Sequence, residues 1–124
     1  MGGSLGELYT SDRYFKVWQY TVSHCRLLLR STRDNPSDSR IDIHFGQVGL
    51  MVLRPAYDGI VIREGSPGEC LKVSLDYGVE VATGRLYVIG GNLSSFVASA
   101  RPQWHEDQGG SNDPSWFGHM VGTP

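Results

Sequence analysis

Arg40-Ile41-Asp42-Ile43-His44-Phe45 is the stretch on which the reading of this chain turns. Apolar and polar residues alternate without a break. An extended backbone therefore sends Ile41, Ile43 and Phe45 to one face and Asp42 and His44 to the other, the pattern of a half-buried antiparallel strand with a solvated side. Working outward, residues 48–53 (VGLMVL) form an apolar run that ends at Arg54-Pro55, where proline removes a ladder donor, and they read as the buried central strand. On the other side, residues 31–39 (STRDNPSDS) are polar and contain Asn35-Pro36, so they read as a hairpin loop. Before that loop, Trp18, Tyr20 and Val22 share one parity and Cys25, Leu27 and Leu29 the other. The change of face at Ser23-His24 is read as a tight turn between two strands, in preference to one strand bent by a bulge.

The same period continues downstream. Asp58-Gly59 reads as a turn before the short strand Ile60-Val61-Ile62, and residues 65–68 (GSPG) as a loop. Leu71, Val73 and Leu75 against Lys72, Ser74 and Asp76 read as a further strand over 70–75, which 79–81 can prolong. Residues 85–89 and 95–100 supply two more, the last stopped by Pro102. Three turns of helical periodicity occur nowhere, so helix is limited to a single turn near residues 5–9. Seven or eight strands without helices to cover them must bury their apolar faces on sheet. The expected fold is mainly β, an antiparallel meander forming a β-sandwich or partly open barrel.

A chain of 124 residues holds one core. The expected organisation is a lead-in over 1–13, one β domain over 14–107, and a flexible tail over 108–124 whose Gly, Pro and Ser content favours disorder, with Trp116 and Phe117 as the residues able to dock. A net charge of −2 gives no global drive toward nucleic acid or an anionic membrane, and no apolar run approaches the length of a membrane span. The start of the chain has no signal-peptide core, which predicts a cytoplasmic protein. Cys25 and Cys70 are read as core thiols.

Few residues offer chemistry. His24 and Cys25 are adjacent, and neighbours in a strand face opposite ways, which keeps them from acting as base and nucleophile there. Asp42 and His44 share a strand face, and His105, Glu106 and Asp107 form a second polar cluster that joins them if the strands pair. The ordinary reading of such residues is a solvated strand face, and neither metal nor cofactor is assigned. Trp18, Tyr20, Tyr57, Tyr87 and Trp104 exceed what a core of this size demands, and Trp104, after the apolar strands, is the first choice for an exposed contact. The loop 34–38 offers a second surface. The candidate binding residues are thus Trp104, His105, Tyr57, His44 and Asp42.

The runs FKVWQYTVSHCRLLLRS (15–31) and RIDIHFGQVGLMVLRPAYDGIVI (40–62), with the closing strand before PQWHED (102–107), resemble a family of small bacterial β proteins of actinobacterial type. The likeness spans 15–107 and consists of β-core pattern, so it implies a fold and no activity. Residues 45–53 are also similar to the β-type immunity proteins with which bacteria neutralise toxins, without a residue-level assignment. The leading expectation is a non-enzymatic protein-interaction module, immunity-type binding being one version, with homodimerisation through an edge strand as a further possibility. Two other classes compete. One is a β-barrel enclosing a small molecule or lipid, and the other an enzyme using His24, His44 or His105.

Overall fold

A computed structural model describes residues 7–33 and 38–117; the expectations for 1–6, for most of the loop 34–38 and for 118–124 fall outside them. The chain forms one antiparallel sheet of eight strands and one α-helix among the described residues, so the mainly β expectation holds. In chain order the elements are β1 (Glu7–Thr21), a 3-10 turn (Val22–His24), β2 (Arg26–Ser31), β3 (Arg40–Phe45), β4 (Leu50–Val52), β5 (Ala56–Glu64), α1 (Pro67–Tyr77), β6 (Leu86–Ile89), β7 (Phe96–Ala98) and β8 (Gln103–Asp107). No helix of the described residues is long and apolar enough to cross a membrane.

The sheet order β4-β7-β6-β5-β1-β2-β3-β8 is not a single meander but two, joined where β1 pairs with β5. It is also strongly curled. In a flat sheet β3 and β4 would stand six strand spacings apart, about 29 Å. Only residues 46–49 connect them, a link that reaches at most about 18 Å. The link from β7 to β8 is equally short and joins strands equally far apart. Backbone hydrogen bonds fasten the curl: Val48 N–H donates to Cys25 O, Gly49 N–H to Ala98 O, and Ala100 N–H to Gly46 O. The sheet stops short of closing into a barrel, leaving β4 and β8 as edges.

Curling buries the concave face on itself. Phe15, Leu27, Leu29, Ile43, Phe45 and Ile62 meet there with Tyr87, Ile89 and Val97. The convex face has two covers. Under α1, Cys70 and Val73 pack on Leu86, Val88 and Phe96. Over β2, β3 and β8, the segment 108–117 lies across the polar side chains described below.

Several local expectations need correction. Residues 70–75 are helical: Cys70 and Val73 face inward three residues apart, while Leu71 and Leu75 stand exposed. The deciding signal precedes them. Ser66 accepts from Glu69 N–H, the Glu69 carboxylate accepts from Ser66 N–H, Pro67 opens the first turn, and Gly78 closes the helix at φ 66°. Residues 79–81 accordingly lie outside the sheet. The run 48–53 supplies an edge strand, β4, rather than a central one. Asp58-Gly59 lies inside β5, where Gly59 at φ 82° sits against a bulge of β1 between Ser11 and Tyr14. Residues 7–13, assigned to the lead-in, already belong to β1, and Glu7 and Tyr9 are strand, not a helical turn. The turn at Ser23-His24 is present, and Cys25 ends it in the left-handed region at φ 51°, half-exposed instead of in a core strand. Cys70 is buried.

Candidate functional site

Pairing of β3 with β8 sets Asp42 opposite His105, Ile43 opposite Trp104 and His44 opposite Gln103. Period two then places Asp42, His44 and His105 together on the convex face and sends Trp104 to the concave one. β2 adds Arg26 and Arg30 to the convex group, because Arg30 lies opposite Asp42 and Leu28 opposite His44. Three of the five candidate residues are therefore brought together. Tyr57 is not among them: it is a core residue whose hydroxyl donates to Ser95 Oγ at 2.9 Å and accepts from Arg54 N–H.

The convex face is not the solvated surface its polarity suggests. Arg30 is fully buried, and its guanidinium clasps both Asp42 oxygens at 2.7 and 3.1 Å, donates to Ser111 O at 2.8 Å and lies over the Trp18 ring. Arg40 clasps Asp107 at 3.0 and 2.9 Å and donates to the carbonyls of Gly110, Asp113 and Pro114. Burial works to raise the Asp107 carboxyl, but hydrogen bonds from Arg40 and the Gly109 amide outweigh it and leave the acid below its ordinary range. Charge-assisted, forked donors of this kind fix geometry. Here they hold the segment 108–117, which composition assigned to a flexible tail, by its own carbonyl groups.

The two histidines lie beneath the end of that segment. Phe117 stacks on His44 with centroids 5.1 Å apart, and Trp116 on His105 at 4.6 Å. Arg26 donates to His44 Nε2 at 2.9 Å and to Phe117 O at 2.8 Å. Burial first, and the Arg26 charge second, pull the His44 pKa down to about 4, so the ring is neutral at pH 7 and its Nε2 lone pair is occupied. His105 Nδ1 lies 3.5 Å from Asp107 without a hydrogen bond. His24 sits exposed on the 3-10 turn beside the Ser23 hydroxyl. Glu106 belongs to the opposite parity and accepts from Ser39 Oγ. No group of three metal-ligating side chains converges among the described residues.

Beside this packed network lies a surface of different character. β8 is an edge strand, and a tryptophan stands on each of its faces. Trp104, 40% exposed, leans on Tyr9 at 5.0 Å on the concave side; Trp116, 66% exposed, covers His105 on the convex side. Arg30 and Arg40 are not among the sequence candidates, whereas Asp107 belongs to the polar cluster of residues 105–107 and Trp116, with Phe117, is the pair expected to be able to dock. Comparison with family models, with curated proteins and with solved structures finds no match for this chain.

Proposed function

We propose that this chain is a non-enzymatic protein-interaction module whose partner adds a strand to β8, with Trp104 and Trp116 as anchors on the two faces of the new pairing. The observation that carries the reading is the edge strand flanked by two exposed tryptophans. An unpaired edge supplies main-chain donors and acceptors for an incoming strand, alternate side chains of that strand meet opposite faces, and tryptophan is the residue that most often dominates such contacts. A second copy of the chain is one occupant of this kind. A bacterial toxin is another, named on the resemblance of residues 45–53. Free thiols at Cys25 and Cys70 suit a cytoplasmic setting.

The two competing classes draw less support. The concave face is filled by its own aromatic and aliphatic side chains, and clefts among the described residues, of about 220, 180 and 170 Å³, fall below the roughly 300 Å³ at which ligand pockets begin. His44 and His105 are each covered by an aromatic ring, an arrangement suited to packing rather than to proton transfer.

Burying the exposed part of Trp104, roughly 100 Å², is worth about 2 kcal/mol, or about 30-fold in affinity. The test is affinity capture of the tagged chain from its host's lysate, alongside Trp104→Ala, with native mass spectrometry and a thermal melt of both proteins. A stoichiometric protein partner, or a dimer, that Trp104→Ala weakens about 30-fold supports the reading. Recovery of the bare chain, of a bound small molecule, or of a partner indifferent to Trp104 overturns it.

A further inference from the structure

Arg26 opens β2, and its guanidinium holds two groups at once. Nε donates to His44 Nε2 at 2.9 Å, and Nη2 donates to Phe117 O at 2.8 Å. The Phe117 ring in turn lies almost flat on the His44 ring, with 19° between their planes. Guanidinium, imidazole and the end of the segment 108–117 thus close on one another. The bond to His44 requires a lone pair on Nε2. An imidazolium has none, because both of its nitrogens are donors.

Among the described residues no carboxylate stands ready to receive a charge on that ring. On β3 itself, Asp42 shares the face, but Arg30 holds both of its oxygens and Arg40 lies 3.8 Å from the second. On β2 the neighbouring charges are Arg26 and Arg30, both cations. On β8, neutral Gln103 stands opposite His44, Asp107 is clasped by Arg40, Glu106 belongs to the other face, and Arg101 precedes the strand as a further cation. On the segment 108–117, the Asp113 carboxylate accepts from Gly110 N–H. Burial first, and then the Arg26 charge, disfavour protonation of His44. The neighbouring contact is built the other way. His105 Nδ1 is buried without a hydrogen bond and lies 3.5 Å from Asp107, so a proton there gains a carboxylate, and the resulting cation lies against the face of Trp116.

We infer that Arg26 and His44 form an acid-opened latch on the segment 108–117: a proton on His44 breaks its bond to Arg26 and frees the Phe117 end, while Trp116 stays on His105. The release is local, because Arg30 and Arg40 fasten the earlier part of the segment by its carbonyl groups and neither depends on His44. Lifting Phe117 bares the imidazolium and the Arg26 guanidinium together, so acid turns a covered face into an exposed pair of cations. The latch does not rest on strand pairing at β8.

Amide hydrogen exchange of the ¹⁵N-labelled full chain at pH 7 and pH 4.5, corrected for the intrinsic rate, tests this, with the Trp116 indole followed in the same spectra. The Phe117 amide donates to Ser115 Oγ in the closed form, so its protection reports the latch. An opened His44 takes up a proton from pH 6.5 downward and a closed one only near pH 4, so opening grows as pH falls. The expected result is opening at Phe117 at least tenfold more populated at pH 4.5, with the Trp116 indole and the amides of β1 and β5 unchanged. His44→Gln, which keeps an acceptor for Arg26 and takes up no proton, should abolish the acid step. Phe117 protection that ignores pH, an acid step that survives His44→Gln, or a loss of protection shared by Trp116 or by β1 and β5 overturns the inference.

Discussion

Asp42→Ala is the most demanding test of how the convex face is built. Asp42 supplies two of the three hydrogen bonds made by the fully buried Arg30 guanidinium, and its second oxygen also lies 3.8 Å from Arg40. Removing the carboxylate leaves a buried cation with the Ser111 carbonyl and the Trp18 ring as its remaining partners. An orphaned buried charge costs about 3–5 kcal/mol, a large part of the roughly 5–15 kcal/mol that holds a domain folded. At about 3–4 °C per kcal/mol for a chain of this size, the melting temperature should fall by about 9–20 °C. Two comparisons isolate the cause. Asp107→Ala should cost less, about 1–2 kcal/mol, because that carboxylate is partly exposed and Arg40 keeps three carbonyl partners. The double variant Arg30→Met with Asp42→Leu should be more stable than Asp42→Ala alone, since it removes the stranded charge together with its partner. Urea and thermal unfolding measure all three. A cost below about 1 kcal/mol for Asp42→Ala, or a double variant less stable than the single, would refute the claim that Arg30 is a desolvated cation beneath the segment 108–117.

Two further outcomes probe the same face. His44 has its pKa lowered from 6.5 to about 4, so as pH falls through 6.5 the unfolded chain takes up a proton that the folded one refuses. Stability is lost progressively down to pH 4, by about 1–2 kcal/mol after allowance for the half-exposed ring. His44→Gln should lack that part of the slope between pH 7 and 4.5 in urea midpoints, and the His44 ring should titrate near pH 4 by NMR; a ring titrating near 6.5 would contradict the packing under Phe117. At Gly109, an added Cβ would come within 2.5 Å of the Arg40 guanidinium. Gly109→Ala should cost about 1–3 kcal/mol and shift the Trp116 indole resonance, whereas an unchanged spectrum would mean that Arg40 does not hold the segment as described.

What could be read in the sequence depends on which face of the sheet a residue serves. Leu27, Leu29, Ile41, Ile43 and Phe45 fill the concave core at positions where period two alone implies burial, whereas Phe15, also in that core, has the opposite parity to Trp18, Tyr20 and Val22 because β1 shifts register between Val17 and Gln19. The convex face obeys no such rule. Asp42 and Arg30 look solvated because they are charged, yet the segment 108–117 buries them by supplying the carbonyl groups that their neutralised pair still requires. That segment is polar and Gly-rich, so its own composition points to disorder, and its docking depends on partners more than sixty residues away in sequence. α1 was missed for a different reason. Leu71, Val73 and Leu75 alternate as a strand would, but two of the three are exposed on the helix, and the informative residues, Ser66-Pro67 and Glu69, precede the apolar run.

β8 joins these threads, and it is the strand that apolar periodicity misses entirely. Its sequence, Gln-Trp-His-Glu-Asp, has one apolar side chain, because an edge strand needs few and because its convex residues answer to arginines instead of to a core. The curl of the sheet brings β8 back toward β4 without hydrogen-bonding the two, so among the described residues no strand pairs with the outer side of β8. The segment that follows β8 folds over the convex side and lays Trp116 on His105 directly behind that edge. Trp104 was singled out from sequence as an exposed aromatic, and it is half-exposed, but its counterpart comes from the folded tail. A partner strand entering at β8 would therefore meet both rings only when 108–117 is in place. Gly109→Ala and Asp42→Ala, which loosen that segment, should then weaken partner capture in proportion to the loss of Trp116 docking while leaving the Trp104 contact intact, a separation that Trp116→Ala should reproduce at the smaller cost of its stacking on His105, about 1 kcal/mol.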